Sequence, residues 1–305
     1  MKEKIYFKQA ELLVRILPYI EAENVFALKG GTAINFFVRE LPRLSVDIDL
    51  AYILVSNRDI ALADISRVLK NIASKIKRIF SGCLISFKKL QNSEFLRGMI
   101  ISTNGVTVKI EPNLIMRGTV YAPEVMELSQ KAQNSFEMSV RVKTLSFSEL
   151  YASKICATLD RQHPRDLFDI HMLLKNEGID EKMRKAFIVY LICHPRPIIE
   201  ILKPNFLDIK QIFKNELVGM TTVNISLEDL LDTRETLVSS IKESLTKAER
   251  KFLISVKMGK PEWELLGLTS VEDLPAVKWK LINIKKMEKK KHKKALEKLR
   301  NYLEK

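Results

Sequence analysis

Hydrophobic residues recur at helical spacing near the start of the chain and at alternating spacing further on. Leu12, Leu13, Ile16, Leu17 and Ile20 fall on one side of a helix, which predicts an amphipathic helix over residues 5–21. The same spacing predicts helices at residues 32–39 and 59–80. An apolar run at residues 25–28 ends at Gly30-Gly31, and residues 46–55 are typical of a strand.

A β-hairpin is predicted at residues 99–110, because two β-rich runs flank Asn104-Gly105. Both turn residues tolerate the positive φ angles that a tight hairpin turn requires. Residues 83–87 are a further candidate strand. After about residue 120 the spacing becomes mostly helical, with breaks at proline-containing segments. We therefore expect an α/β (α+β) lobe with a small mixed sheet over residues 1–120, a helical lobe over 121–282 and a basic tail over 283–305.

Composition excludes several classes of protein. The chain has 305 residues, of which 46% are hydrophobic and 29% charged, with only 10 Gly and 10 Pro. This excludes a disordered or collagen-like chain. Its apolar runs are far shorter than the roughly 20 residues that span a bilayer, so we expect no membrane partner. Cys83, Cys156 and Cys193 lack metal-site spacing and are expected to be reduced thiols in a cytoplasmic protein.

The net charge of +14 indicates a polyanionic partner. Residues 283–305 hold ten Lys or Arg and three Glu, which amounts to half of the excess. This segment is either a solvated basic helix with a sparse leucine stripe or an arm that contacts phosphates. A second basic stretch, residues 70–78, has the spacing of a solvated helix face.

Gly30-Gly31 lies between a predicted strand and a predicted helix. Glycines here let the backbone approach a ligand, and the N–H groups at the start of the next helix favour phosphate. Strand–helix turns also use glycine for steric reasons alone, so the Gly-Gly turn by itself is weak support for a phosphate site.

Two carboxylates follow on the next strand. Asp47 and Asp49 are alternate residues, so their side chains project from the same face. Adjacent carboxylates repel, and a bound Mg²⁺ relieves that repulsion. Two solvated aspartates on a surface strand are the alternative. If the strand at 106–110 lies alongside, Glu111 either completes a three-carboxylate metal site or is an ordinary polar strand end.

A second polar cluster lies in the helical lobe. Ser146 and Glu149 form a capping-box pattern, and Lys154 and Arg161 lie two turns apart on the following helix. Pro164 ends that helix, after which Arg165 and Asp169 lie one turn apart. The cations could converge on a phosphate. Alternatively, Arg–Asp pairs such as Arg165 with Asp166 pin two helices together. His163 is expected to be a helix-end residue rather than a catalytic base.

Together these motifs resemble the AbiEii/AbiGii toxin family of the nucleotidyltransferase superfamily. The resemblance covers about residues 26–174 and rests on three motifs: Gly30-Gly31-Thr32-Ala33; Arg43-Leu44-Ser45-Val46-Asp47-Ile48-Asp49; and Lys154, Ala157, Arg161, Arg165, Asp166 and Asp169. It implies a polymerase-β-like fold that transfers a nucleotide from an NTP to an RNA, with tRNA the expected acceptor at its 3′ end, and so blocks translation. It also implies a toxin with a cognate antitoxin.

The resemblance further implies roles for individual residues. Asp47 and Asp49 would hold Mg²⁺, while Lys154 and Asp169 would complete the catalytic set. Nucleotide contacts would come from the Gly-Gly turn and from side chains of both motifs: Gly30, Gly31, Thr32, Ser45, Lys154, Arg161 and Arg165. The third acid is variable in the family, so Glu111 is a weaker candidate for the metal. Two other functions stay open, namely nucleotide transfer to a protein hydroxyl and an inert fold that binds nucleic acid or antitoxin.

Overall fold

The computed structural model describes residues 2–304, and it describes side chains from residue 4 onward. Met1 and Lys305, the outermost residues of the predicted first lobe and basic tail, lie outside the described residues. The chain divides into two compact units. The first is Met1–Leu150 with Glu216–Asn224, and the second is Tyr151–Asn215 with Ile225–Lys305.

A mixed β-sheet forms the centre of the first unit, which confirms the predicted fold class. Within residues 2–304 its strands are β1 (Phe26–Lys29), β2 (Asp47–Tyr52), β3 (Leu84–Lys89), β4 (Leu96–Thr103), β5 (Val106–Arg117), β6 (Glu124–Glu127) and β7 (Arg141–Thr144). Their order across the sheet is β3-β4-β5-β2-β1-β7-β6. Strand β2 is central, because it runs antiparallel to β1 on one side and parallel to β5 on the other.

Among the described residues, four helices accompany the strands of this unit. They are α1 (Lys2–Glu21), α2 (Gly30–Ala33) with a π-helical continuation at Ile34–Val38, α3 (Arg58–Ile79) and α4 (Gln130–Phe136). Helix α3 buries one apolar stripe of the predicted spacing, while its basic positions Lys70, Lys77 and Arg78 remain exposed. The Tyr52 hydroxyl donates to Asp64 of α3 at 3.0 Å, so α3 lies over the face to which Tyr52 points.

The hairpin prediction is confirmed. Asn104 and Gly105 have φ angles of 49° and 75°, and they connect β4 to β5 in antiparallel register. Because β5 also pairs with β2, this hairpin carries Glu111 alongside Asp49.

The expectation of a mainly helical chain after residue 120 is wrong for the segment that contains β6 and β7. These strands pair with each other, and β7 joins β1 in parallel, with Leu28 opposite Thr144. Each strand has only four residues, which is too short for alternation to stand out in the sequence. The first part of the first unit therefore continues past residue 120 and ends at Leu150.

A late segment of the chain, Glu216–Asn224, also belongs to the first unit. It lies against residues 42–44, where Arg43 and Thr221 form an isolated antiparallel bridge. The Leu44 amide donates to the Met220 carbonyl, and the Thr222 amide donates to the Pro42 carbonyl, each at 2.8 Å. This segment holds the loop before β2 in place.

The second unit is helical, as predicted. Its elements are the larger part of α5 (Phe147–Arg161), followed by α6 (Pro164–Asn176), α7 (Glu181–Cys193), α8 (Ile198–Leu202), α9 (Lys210–Glu216), α10 (Leu227–Ser244), α11 (Lys247–Met258), α12 (Pro275–Lys285) and α13 (Lys289–Leu303). Short 3₁₀ turns occur at Trp263–Leu265 and Val271–Asp273. Phe168, Phe187 and Phe252 are fully buried in its core.

The basic segment at the chain's end forms a docked helix rather than a free arm. Helix α13 buries Leu299 and Leu303, and the Tyr302 hydroxyl donates to the Leu202 carbonyl at 2.9 Å. Arg250 Nη1 donates to the Leu303 carbonyl at 2.8 Å. The lysines of the opposite face are exposed.

Two further expectations concern cysteines and membranes. Cys156 and Cys193 are buried free thiols, as expected, while Cys83 is partly exposed. None of the helices in the described part of the chain combines the length and the apolar composition that crossing a bilayer requires.

Docking of α13 predicts a large difference between two of its leucines. Leu299→Ala removes a buried side chain, so we expect the free energy of unfolding to fall by about 2 to 5 kcal/mol. Leu296 is only partly buried, and Leu296→Ala is expected to cost less than about 1 kcal/mol. Urea unfolding of both variants measures the difference. Equal effects would contradict the docked arrangement.

Candidate active site

The two aspartates of β2 share one face of the sheet. Asp47 and Asp49 are partly exposed, whereas Ile48 and Leu50 between and beyond them are fully buried on the opposite face. This alternation follows from the pleat of the strand. The structure confirms the prediction that the two aspartate side chains project from the same face of β2.

The Gly30-Gly31 turn lies directly against this pair. Lys29 pairs with Asp49 across β1 and β2, so the turn that follows β1 reaches the Asp49 carboxylate. Gly30 has a φ of 71°, and a Cβ there would fall inside the contact distance of Asp49 Oδ2. A Cβ on Gly31 would lie 2.5 Å from Nη2 of Arg43, whose side chain is buried. A side chain at either glycine would therefore force the neighbouring side chain to move.

Thr32 and Ser45 connect the turn to the start of β2. The Thr32 hydroxyl donates to the Asp47 carbonyl oxygen at 2.6 Å and lies 2.9 Å from the Ser45 hydroxyl. Both side chains are buried. Two of the residues predicted to contact a nucleotide thus hold the backbone of Asp47 in position, Thr32 directly and Ser45 through Thr32.

Glu111 lies beside Asp49 but faces a different partner. The two residues are paired in the parallel register of β2 and β5, and they therefore share a face. The Glu111 carboxylate is 3.8 Å from Lys88 Nζ, and its side chain is 45% exposed. Among the described residues, no three His, Cys, Asp or Glu side chains converge as a metal-binding group. A role for Glu111 as third metal ligand stays a prediction.

The β2 carboxylates suit a divalent cation. They offer hard oxygen donors from alternate positions of one strand, and Asp49 Oδ2 occupies the space that a Cβ on Gly30 would fill. Mg²⁺ is commonly bound by one or two carboxylates together with substrate phosphates. This donor set therefore fits Mg²⁺ in number and in chemistry.

The second unit contains a buried ionic cluster. Lys154 Nζ is 2.7 Å from Asp166 Oδ1 and 3.0 Å from Asp169 Oδ2, and Lys154 is only 6% exposed. Arg161 donates to Asp166 through Nε at 2.6 Å and through Nη2 at 3.0 Å. Lys154 and Arg161 do converge, as their spacing predicted, but the point at which they meet is a carboxylate.

The start of α6 brings the carboxylates to this cluster. His163 is the N-cap, and its Nδ1 accepts the Arg165 amide at 3.1 Å, which confirms that it is a helix-end residue. Pro164 occupies the first helical position, which suits its fixed φ. Arg165, partly exposed, and Asp166 follow in the first turn. The sequence motif contained Asp166 but did not mark it as a site residue, although an acid in the first turn of a helix is a recognisable signal.

Electrostatics hold Asp166 in its charged form. Burial by itself raises the pKa of this carboxyl, but the adjacent charges and hydrogen bonds of Lys154 and Arg161 outweigh burial. The pKa of Asp166 therefore lies well below its usual range. Unlike the buried Asp166, its partner Arg161 has a side chain that is 61% exposed.

This cluster predicts a pH-dependent contribution to stability. Because the folded-state pKa of Asp166 is below the unfolded value of about 3.9, its carboxylate stabilises the fold above about pH 4 and loses this effect as the pH falls further. Asp166→Asn should lower the free energy of unfolding by about 3 to 5 kcal/mol at pH 7. The deficit should shrink toward pH 2.

Urea unfolding at several pH values measures this effect. Arg161→Met is the control, because it removes an exposed member of the same cluster and should cost about 1 kcal/mol or less. A deficit for Asp166→Asn that is the same at pH 7 and at pH 2 would refute the assignment.

Comparison with known proteins places this arrangement in a family. The family model of the nucleotidyl transferase AbiEii toxins, type IV toxin–antitoxin system, matches residues 11–282. Among solved structures, the nucleotidyltransferase toxin MenT4 from Mycobacterium tuberculosis H37Rv is similar with a TM-score of 0.62 and 14% sequence identity. The alignment covers 98% of this chain and 95% of that chain. No curated protein matches this sequence.

At this identity the MenT4 likeness concerns the fold alone. The family match is more informative, because it includes both motif clusters and continues through most of the second unit. This chain belongs to the AbiEii family of nucleotidyltransferase toxins of type IV toxin–antitoxin systems.

Proposed function

We propose that this enzyme transfers a nucleoside monophosphate from an NTP to an RNA acceptor, the 3′ end of tRNA, in a Mg²⁺-dependent reaction. The family supplies the coarser activity, nucleotidyl transfer by a toxin that has a cognate antitoxin. The observation that carries the finer proposal is the pair of β2 carboxylates held against the Gly30-Gly31 turn. In this reaction the acceptor hydroxyl attacks the α-phosphorus, and pyrophosphate leaves.

Asp47 and Asp49 are the residues that would hold Mg²⁺. When bound, the cation would stabilise negative charge on the reacting phosphate oxygens. The chain's own contribution is to fix the ligands beforehand. Thr32 and Ser45 secure the Asp47 backbone, and the Gly30 backbone restricts the Asp49 carboxylate. Glu111 would need to leave Lys88 to join them.

The backbone of the Gly-Gly turn is proposed to contact the triphosphate. The first N–H groups of a helix have no intrahelical acceptor and favour anions. Helix α2 begins at Gly30, so the Gly30, Gly31 and Thr32 amides are those first groups. Direct contact through the Thr32 or Ser45 hydroxyls is less suited to the geometry, because both hydroxyls are buried.

The ionic cluster constrains the roles proposed for the second unit. Lys154 is bonded to two carboxylates, so a contact between its ammonium group and a phosphate would replace one of these bonds. Asp169 then acts by orienting Lys154. Arg161 and Arg165 are more accessible than Lys154, and they are the better candidates for contact with substrate phosphates.

Helix α13 supports an RNA acceptor. Its docked apolar face leaves a solvent-exposed row of cations: Lys289, Lys290, Lys291, Lys293, Lys294, Lys298 and Arg300. Such a row attracts a phosphate backbone with an affinity that falls steeply as salt rises. An acceptor on a protein would have no general need for this charge.

The test incubates purified protein with total tRNA, Mg²⁺ and each α-³²P-labelled NTP in turn. We expect wild type to label tRNA with one preferred NTP. Asp49→Asn, which keeps the side-chain shape, should reduce labelling by at least about 10²-fold. Asp208→Asn removes an exposed carboxylate and is the matched control.

Two further arms locate the acceptor and the cation requirement. Periodate oxidation destroys the 3′-terminal diol of tRNA and should abolish labelling. EDTA should abolish labelling as well, and Mg²⁺ should restore it. Label on protein instead of RNA would overturn the RNA acceptor, and labelling that survives Asp49→Asn would overturn the assigned site.

Close packing at Gly30 predicts a second effect on activity. Gly30→Ala introduces a Cβ against Asp49 Oδ2 and should reduce transfer by at least about tenfold, because the carboxylate must move. Gly82→Ala is the matched control, since Gly82 has nearly the same φ, 72°, but nothing within 4 Å of its Cβ position.

Both glycine variants share the cost of a left-handed backbone, about 1 to 2 kcal/mol. A comparison of initial transfer rates therefore separates loss of stability from displacement of the carboxylate. Equal activity of the two variants would show that Asp49 tolerates displacement.

A further inference from the structure

A buried arginine, for which the described residues provide no acidic partner, lies on the opposite face of the sheet from the active-site carboxylates. Arg117, the last residue of β5, is 7% exposed. Its Nε has no hydrogen-bond acceptor within the described part of the chain, and no carboxylate lies within ion-pair distance of its guanidinium there. A guanidinium has five N–H donors, and a buried N–H without an acceptor, such as Nε here, is costly.

The register of the sheet shows where Arg117 points. Arg117 pairs with Tyr52 across β2 and β5 after an irregularity in the ladder, and its electrostatic interaction with Tyr52 and with Arg58 places its guanidinium on the side of Tyr52. Tyr52 belongs to the face opposite Asp49, and its hydroxyl donates to Asp64 in the second turn of α3. Arg117 therefore extends toward the first turns of α3, away from the active site.

The beginning of α3 offers several further groups that suit an anion. The N-cap, Asn57, makes no side-chain hydrogen bond to the first turn, so the amides of that turn lack a side-chain cap. Ser56 Oγ, just before the helix, is buried and makes no hydrogen bond to the helix itself. This hydroxyl lies beside that of Tyr52.

Arg58, the first residue of α3, adds a second positive charge close to Arg117. Burial lowers the pKa of the Arg117 guanidinium, and the proximity of Arg58 lowers that pKa further. Two like charges are thus brought together where one of them is buried. The acid in this first turn, Asp59, is exposed, and its carboxylate is 3.7 Å from Arg58 Nη1.

We propose that Arg117, Arg58, Ser56 Oγ and the first amides of α3 form a binding site for a tetrahedral oxyanion of the phosphate class. Such an anion would neutralise the two guanidinium groups and accept hydrogen bonds from Ser56 and from the helix amides. Because Asp59 and Arg58 are exposed, the site opens to solvent at the helix end. It is separate from the catalytic carboxylates and does not depend on the proposed function.

The experiment compares Arg117→Met with Arg97→Met in the full chain. Both changes remove one positive charge, but Arg97 is an exposed residue of β4. The probe is inorganic phosphate, replaced by chloride at the same ionic strength in the reference buffer. Thermal unfolding gives Tm, and calorimetric titration gives Kd.

We expect phosphate at about 100 times its Kd to raise the Tm of wild type and of Arg97→Met by roughly 5 to 10 °C. Arg117→Met should lose this rise. In chloride, Arg117→Met should be at least as stable as wild type, because it removes an unpaired buried charge. A purely structural arginine would instead show the same destabilisation in both buffers.

A second variant keeps the test decisive if Arg117→Met does not fold. Arg58 is exposed, so Arg58→Met should fold normally and weaken phosphate binding roughly threefold to tenfold. Phenyl phosphate in place of phosphate distinguishes the source of the anion. Comparable affinity indicates a phosphate ester of a larger ligand, and binding of inorganic phosphate alone indicates a free ion.

The result that overturns the proposal is a phosphate-induced rise in Tm that Arg117→Met retains in full. Unchanged phosphate affinity in Arg58→Met, when Arg117→Met cannot be measured, overturns it equally. Phosphate bound at other basic surfaces contributes the same amount to wild type and to each variant, so it cancels in these comparisons.

Discussion

The candidate site of the first unit is constrained by the close approach between the Gly30 backbone and the Asp49 carboxylate. A side chain at position 30 would disturb this contact, because a Cβ there would overlap Asp49 Oδ2 unless the carboxylate moved. The antiparallel pairing of β1 with β2 sets the approach, and the buried Thr32 hydroxyl, bonded to Ser45, holds the backbone of Asp47. The geometry of the carboxylate pair is therefore built into the backbone before any ligand binds, which is what electrostatic preorganisation requires.

The second unit solves a different electrostatic problem. Lys154, Asp166 and Asp169 are almost completely buried, and isolated charges in that setting would be strongly destabilising. Arg161 completes the group, so that two positive charges balance two negative ones. The cluster joins α5 to the start of α6. The two carboxylates fix the position of the Lys154 ammonium group. If this lysine acts in catalysis, it does so from a fixed position, because its positive charge is already neutralised by the aspartates.

Local patterns in the sequence predicted much of the fold. Alternation gave β2 and its shared aspartate face, helical spacing gave α1 and α3, and Asn104-Gly105 gave the hairpin of β4 and β5. These signals depend on neighbours along the chain. Strands β6 and β7 were missed because four residues are too few to show a period, and β7 is held by a distant strand, β1. The return of Glu216–Asn224 to the first unit likewise has no local signal.

The same distinction applies to the candidate site. Spacing predicted that Lys154 and Arg161 share a helix face, but their common partner depends on how α6 packs. Likewise, the motif identified the glycines without indicating that Asp49 and Arg43 fill the space beside them. The setting of Arg117 could not be predicted from patterns, because the lack of an acidic partner among the described residues is a property of the folded chain. The sequence therefore predicted which residue types belong to the candidate site, but it did not predict which groups those residues contact in the folded chain.

The residues that would attract a polyanion are different from those of the buried ionic cluster. The buried ionic cluster is neutral, so it contributes nothing to the net charge of +14. The excess therefore belongs to other residues, and the exposed cations of α13 are its densest run. Exposed charges are screened by salt, whereas buried pairs are screened much less. A rise in ionic strength should thus weaken the attraction of a polyanion while the ionic cluster that holds Lys154 stays formed. Affinity for a polyanion and the arrangement of this ionic cluster can consequently vary independently in this protein.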